Sequence, residues 1–118
     1  MNTTPVLLSA STNGQPIKVV ATATPGTLIH EAVTTAGAHD EVYLYATNTS
    51  ASAVALTVQW GGVTSPDNHA VAAVSVPANS GPTRLTDGLP IAGGLLIRAF
   101  AATANVLLIT GFVHRVTN

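Results

Sequence analysis

Hydrophobic and polar positions alternate along the centre of the chain. Every second residue is apolar from 42 to 46 and again from 54 to 60, where the run ends on Trp60. Period two places such residues on one face of a β-strand. The intervening sequence NTSAS is rich in residues that favour turns. We therefore predict two strands that pair as an antiparallel hairpin, with Trp60 as the last inward-facing residue of the second strand.

The same alternation recurs along the chain between turn-forming residues, and helical periodicity is weak. The predicted strands are residues 17–21, 27–33, 41–47, 54–60, 70–76, 83–86, 95–100 and 105–114. We expect the last two to pair with each other across AATA, and DGLPIAGG to be a loop. About eight strands with turn signals every 8–12 residues predict an all-β fold, a single antiparallel β-sandwich. Residues 15–118 form this domain, and residues 1–14, which are polar around PVLL, are expected to form an extended N-terminal arm.

Charge is scarce and nearly balanced, which changes the expected partners. Only 8% of the 118 residues are charged, and the formal net charge is −1. Without a basic excess to neutralise phosphates, the composition argues against nucleic-acid binding. A weakly charged surface favours association between proteins. The composition therefore indicates a component of an assembly.

Targeting and membrane signals are weak. The N-terminus lacks a positively charged stretch before its short apolar run, so we expect no secretory signal and synthesis in the cytoplasm. The most apolar tract, residues 93–113, is interrupted by Arg98 and Asn105 and fits two strands better than a membrane span. The chain has no cysteine, which excludes disulfides and thiolate chemistry.

Candidate catalytic and metal-binding residues are few. His39, Asp40 and His69 could meet across neighbouring loops as metal ligands, but their spacing matches no metal motif, and we expect no metal or other cofactor. Serines are present, but none lies in a G-x-S-x-G nucleophile motif. We therefore predict that the protein is not an enzyme, with a metal-dependent enzyme as the alternative.

Three further side chains suggest binding. Arg98 alternates with Leu96 and Phe100, so it lies either on an exposed face or at a subunit interface, where its guanidinium would pair with a carboxylate. Tyr43 and Tyr45 share the outward face of their strand. An exposed pair of tyrosines would suit a carbohydrate-binding module.

Three stretches carry a resemblance to a known class of proteins. They are GQPIKVVATATPGTLIHEAV, DEVYLYATNTSASAVALTVQWGG and GGLLIRAFAATANVLLITGFVHRV. In the general character of the sequence and in strand order, they resemble small virion proteins of tailed bacteriophages, in particular the capsid decoration or cement class. The resemblance spans about residues 14–116 and carries no motif from which residue roles can be transferred. A tail or fibre component is the weaker resemblance.

The resemblance implies a jelly-roll-like β-sandwich on the outside of the phage head. Such proteins bind the major capsid protein, commonly as homotrimers or dimers, and stabilise the shell against the pressure of the DNA. Many weak contacts then act together. For this chain we expect the N-terminal arm to contact the capsid, either along a subunit or as an added edge strand. The contact residues would be Thr3, Thr4, Pro5, Val6, Leu7 and Leu8.

Overall fold

Nine β-strands and no helix make up the regular secondary structure of residues 2–117, the part of the chain that the computed structural model describes. The strands are β1 (Asn2–Leu7), β2 (Ile17–Lys18), β3 (Thr27–Glu31), β4 (His39–Asn48), β5 (Val54–Trp60), β6 (His69–Val76), β7 (Ser80–Ile91), β8 (Leu96–Ala101) and β9 (Leu107–Thr117). The all-β prediction is therefore confirmed. No helix between Asn2 and Thr117 combines the length and the apolar character needed to span a bilayer.

The strands form two antiparallel sheets that pack face to face. Sheet A has the order β1-β9-β4-β7, and β2 pairs with β9 beyond the end of β1; sheet B has the order β3-β8-β5-β6. From β2 onward, consecutive strands lie in opposite sheets, except for β5 and β6, which are neighbours in sheet B. This strand order is that of a jelly roll, in which two Greek keys are folded into a double sheet. The predicted sandwich, including its jelly-roll character, is confirmed.

Two predicted hairpins are wrong. β4 and β5 do not pair with each other, because β4 lies between β9 and β7 in sheet A while β5 lies between β8 and β6 in sheet B. β8 and β9 are likewise in opposite sheets. Alternation shows which face of a strand is buried, but both sheets of a sandwich bury one face. The short connections at residues 49–53 and 102–106 therefore cross from one sheet to the other.

The N-terminal segment expected as an arm is extended, but it belongs to the sandwich. Over residues 2–7 it pairs with β9 from Thr117 to Phe112, and Leu8 is only 2% exposed in the core. The free edge of β9 explains this pairing, because an unpaired row of backbone N–H and C=O groups accepts another strand. Met1 lies outside the described residues. Removing residues 1–11 would thus take away an edge strand and a core residue.

The core consists of the inward faces of both sheets. The inward residues predicted for β4 and β5 are at most 4% exposed; they are Val42, Leu44, Ala46, Val54, Leu56 and Val58. Trp60 is half-buried at the end of this row, where it packs against the core and its indole N–H donates to the Pro90 carbonyl over 2.9 Å. The sandwich is therefore filled by small and medium aliphatic side chains and closed at one end by the indole.

Candidate functional site

A polar cluster with a fully buried centre connects the two sheets. His30 on β3 and Asp40 on β4 are both 0% exposed, and the His30 Nε2 atom lies 2.8 Å from Asp40 Oδ2. Arg115 on β9 meets the same carboxylate from its own sheet, with Nε 2.8 Å from Oδ1 and one terminal nitrogen 3.1 Å from Oδ2. Asp40 and Arg115 are direct cross-strand partners in the register of β4 and β9. We call His30, Asp40 and Arg115 the inter-sheet cluster.

The hydrogen bonds define where the protons of the cluster lie. The backbone N–H of Ser9 donates to His30 Nδ1 over 3.0 Å, so this nitrogen is an acceptor and the ring carries its proton on Nε2. Nε2–H then donates to Asp40, which also accepts from the Val33 N–H over 3.1 Å. Every donor around the carboxylate therefore favours its ionised form.

Electrostatics agrees with that assignment. Burial by itself raises the pKa of Asp40, but the hydrogen bonds from Arg115 and His30 and the positive charge of Arg115 outweigh burial, so this pKa lies below its ordinary value of 3.8. The hydrogen bond to Asp40 raises the pKa of Arg115, although burial acts in the opposite direction. The cluster is an ion pair between a fully buried carboxylate and a half-buried guanidinium, and the His30 imidazole donates to the same carboxylate.

The cluster is organised as a clamp and does not have the geometry of a catalytic triad. A triad needs a histidine nitrogen free to take a proton from the serine hydroxyl. Here one nitrogen of His30 is bonded to Asp40 and the other faces the backbone N–H of Ser9. The Ser9 hydroxyl oxygen accepts from the Glu31 N–H over 2.7 Å, away from the imidazole. These bonds hold β3, β4, β9 and the turn after β1 together.

The residues considered as metal ligands are not brought together. Asp40 points inward to the cluster, whereas His39 lies on the outer face of sheet A with Nε2 3.3 Å from Glu41 Oε2. His69 belongs to sheet B and contacts Phe100 edge-on, with ring centroids 6.2 Å apart. Within residues 2–117, no three His, Asp or Glu side chains are grouped so that they could hold a metal ion. The alternating burial along β4 separates His39 from Asp40.

Sequence reasoning did not identify the inter-sheet cluster. The signal that the sequence offers is the phase of the alternation. Asp40 is two residues before Val42, and Arg115 is two residues after Val113, so period two places both on the inner faces of their strands. A charged residue in phase with core positions indicates a buried partner. The identity of that partner depended on the register of β4 and β9, which periodicity does not give.

The outer face of sheet A carries an exposed apolar and aromatic surface. Leu7, Phe112 and Tyr43 lie side by side on β1, β9 and β4, and Leu7 and Phe112 are 52% and 37% exposed. The Phe112 and Tyr43 rings are stacked, with centroids 4.6 Å apart and planes 10° apart. The His114 ring completes the group at 5.1 Å from Tyr43 and 5.3 Å from Phe112. We call Leu7, Tyr43, Phe112 and His114 the aromatic face.

The residues predicted to contact a capsid divide between the two sides of β1. Val6 packs against the core and Leu8 is part of it. Thr3, Pro5 and Leu7 are paired with Val116, His114 and Phe112, so their side chains lie on the outer side of sheet A. Thr4 pairs with Arg115 and lies on the inner side, at the exposed end of the sandwich. β1 therefore extends the aromatic face to the edge of the sheet.

Arg98 lies on the outer face of sheet B. It is half-buried, like Leu96 and Phe100 on the same side of β8, while Ile97 and Ala99 between them are fully buried. One terminal nitrogen of its guanidinium donates to the Gly26 carbonyl over 3.1 Å. This placement agrees with the predicted alternation, and the role at a subunit interface stays a prediction.

Known proteins give no further guidance. Comparison of the chain with protein-family models, with curated proteins and with solved structures finds no match. The aromatic face, the inter-sheet cluster and Arg98 are the structural features that bear on function.

Proposed function

We propose that this protein is a non-enzymatic virion structural protein of a tailed bacteriophage, which binds the outside of the capsid and stabilises it. Its partner is the major capsid protein, and its place is the exterior of the virion. The observation that carries the proposal is the aromatic face, a contiguous row across three neighbouring strands with Leu7 and Phe112 exposed to solvent. The resemblance of the chain to capsid decoration proteins supplies the partner.

The aromatic face has the properties of a protein-binding surface. Contiguous exposed apolar groups on a soluble domain mark interaction sites, and aromatic side chains are enriched among the residues that dominate binding energy. The stacked rings of Phe112 and Tyr43 are held in place by each other and by His114. Little side-chain entropy is then lost when a partner covers them.

The rest of the sandwich suits a rigid structural unit. The inter-sheet cluster holds both sheets in one arrangement, and both nitrogens of its imidazole are engaged. This supports a binding role and argues against a role for His30 as a catalytic base. With few charges to oppose association, many copies can bind a lattice together through individually weak contacts. We propose a homotrimer as the bound form, with a dimer as the alternative that mass measurement in solution would distinguish.

Binding to empty phage heads tests the proposal. Purified protein is mixed with undecorated heads, and the bound fraction is measured by co-sedimentation. Phe112→Ser should reduce the affinity for heads at least about tenfold. Truncating an aromatic anchor at the centre of an interface lowers the binding free energy by about 2 kcal/mol or more. Val74→Ser is the matched control, because Val74 is also 37% exposed but lies on β6 of the other sheet.

The outcomes separate the proposal from its rivals. Wild-type protein that binds isolated tails and leaves heads bare would make it a tail or fibre component. Equal loss of head binding in the Phe112 and Val74 variants would refute the aromatic face as the contact surface. Stacking on a sugar requires a free face of an aromatic ring. Phe112 already covers one face of the Tyr43 ring, so at most the other face could serve. Glycan binding abolished by Tyr43→Ala would nevertheless establish that alternative.

A further inference from the structure

A small apolar pocket with a cation in its wall lies at the other side of the molecule, between the end of β5 and the start of β8. Its volume is about 260 Å³, and it is lined by Gly61, Gly62, Val63, Gly94, Leu95, Leu96 and Arg98. This is below the ~300–1,000 Å³ of pockets for drug-sized ligands. The pocket is therefore sized for part of a peptide segment and not for a drug-sized ligand.

Arg98 differs from the other arginines of the chain. Arg115 pairs with Asp40 and Arg84 pairs with Asp87, but Arg98 forms no ion pair with any residue from Asn2 to Thr117. Its guanidinium uses one terminal nitrogen for the Gly26 carbonyl, and the remaining N–H donors have no acceptor in that part of the chain. A half-buried cation beside apolar groups gains most from an anionic partner, because water solvates it only partly.

The rim of the pocket supplies the apolar half of a binding site. Val63 and Leu95 are 44% and 49% exposed, and both border the space that Arg98 faces. The floor is held in shape by backbone bonds, from Gly61 N–H to the Leu96 carbonyl over 2.9 Å and from Gly94 N–H to the Val33 carbonyl over 3.2 Å. A guanidinium beside exposed aliphatic groups is complementary to a carboxylate beside an aliphatic side chain.

We infer that this pocket binds a segment of a partner protein that presents a carboxylate next to a leucine-sized side chain. The carboxylate pairs with the free donors of Arg98, and the aliphatic group covers Val63 and Leu95. Arg98 is thus the residue that selects an acidic partner segment. The pocket lies on a different face from the aromatic face, and binding there does not require that the partner is a capsid protein.

Titration with two short peptides tests the inference. The probes are acetyl-Gly-Leu-Asp-Gly-amide and acetyl-Gly-Leu-Asn-Gly-amide, which differ only in the carboxylate, and the readout is the shift of the backbone amide signals of Gly61, Gly62 and Gly94 in NMR spectra of the labelled protein. The Asp peptide should bind with a Kd at least about tenfold lower than the Asn peptide, as expected for charge-assisted hydrogen bonds. Equal affinities, or no shifts with either peptide, would overturn the inference.

Variants of the pocket separate binding from folding. Arg98→Gln should abolish the preference for the Asp peptide, but it also removes the bond to Gly26. Val63→Asp keeps Arg98 and places a carboxylate at the rim, where it competes with the peptide for the guanidinium. It should therefore bind the Asp peptide about tenfold more weakly than Val63→Asn, which loses the same aliphatic contact without adding a charge. Equal binding by both Val63 variants, or acetate shifting the same signals as strongly as the Asp peptide, would refute the site. Binding to phage heads is measured in a separate experiment. The pocket at Arg98 can therefore be refuted while head binding is upheld, and the reverse.

Discussion

His30 and Asp40 come from opposite sheets of the sandwich and share one hydrogen bond of 2.8 Å between fully buried side chains. The bond couples the two layers directly, in addition to the aliphatic contacts of the core. Arg115 supplies the charge that keeps Asp40 ionised there. The stability of the whole domain should therefore respond strongly to changes at these three residues.

Replacing the buried carboxylate should cost much of the stability. We expect Asp40→Asn to lower the free energy of unfolding by about 3 kcal/mol, because the amide leaves the charge of Arg115 without its partner and turns an NH₂ group toward other donors. Urea denaturation followed by circular dichroism measures the change. Asp87→Asn is the control: Asp87 and Arg84 form a solvent-exposed pair at 3.8 Å, so its loss should cost no more than about 0.5 kcal/mol.

Acid should destabilise the wild-type protein through the same carboxylate. The pKa of Asp40 in the folded protein lies below its ordinary value of 3.8, which the unfolded chain approaches. The unfolded state therefore binds the proton first, so the contribution of Asp40 is fully present above that value and is lost as the pH falls through the folded pKa. The urea concentration at the unfolding midpoint should decrease as the pH is lowered below about 4, and this decrease should be less steep in Asp40→Asn. Parallel pH profiles for the two proteins would show that Asp40 is not the group responsible.

A buried threonine should matter through its hydroxyl. Thr86 Oγ1 accepts from the Leu44 N–H over 3.0 Å and donates to the Val42 carbonyl over 2.9 Å, so it replaces backbone pairing between β7 and β4. Thr86→Val keeps the shape but leaves both groups unsatisfied, and we expect a loss of about 2 kcal/mol. Thr83→Val on the same strand serves as the control, with a change of less than about 0.5 kcal/mol. Similar losses in both variants would show that exchanging a hydroxyl for a methyl group anywhere on β7 has this effect, and would contradict a specific role of the two buried hydrogen bonds of Thr86.

A glycine in β9 is required by close backbone packing. A Cβ atom on Gly111 would collide with the Tyr43 carbonyl oxygen of the neighbouring strand β4. Gly111→Ala should therefore push the two central strands apart and lower the free energy of unfolding by about 1–3 kcal/mol. Thermal unfolding measures the effect, and an unchanged melting temperature would contradict the packing argument.

Several features of the fold could be predicted because they depend on local alternation. The inward residues Leu44 and Leu56 were identified from period two alone, since only their faces had to be known. β7 shows the limit of local signals: Gly88 and Pro90 indicated a loop, yet the strand continues to Ile91. β7 is an edge strand, so its outer side tolerates proline, and the register shift against Tyr43 accommodates Gly88 as an extra residue.

The amino-acid sequence by itself determined the all-β class, the buried faces of the central strands, the scarcity of charge and the lack of thiol chemistry. Only the tertiary structure decided which strands pair, that residues 2–7 close the edge of sheet A, and that Arg98 is left without a carboxylate. It also brought Asp40 to His30 and Arg115. The reason is physical: alternation is a property of neighbours along the chain, whereas strand partners and ion pairs depend on register between segments as far apart as Asn2 and Thr117.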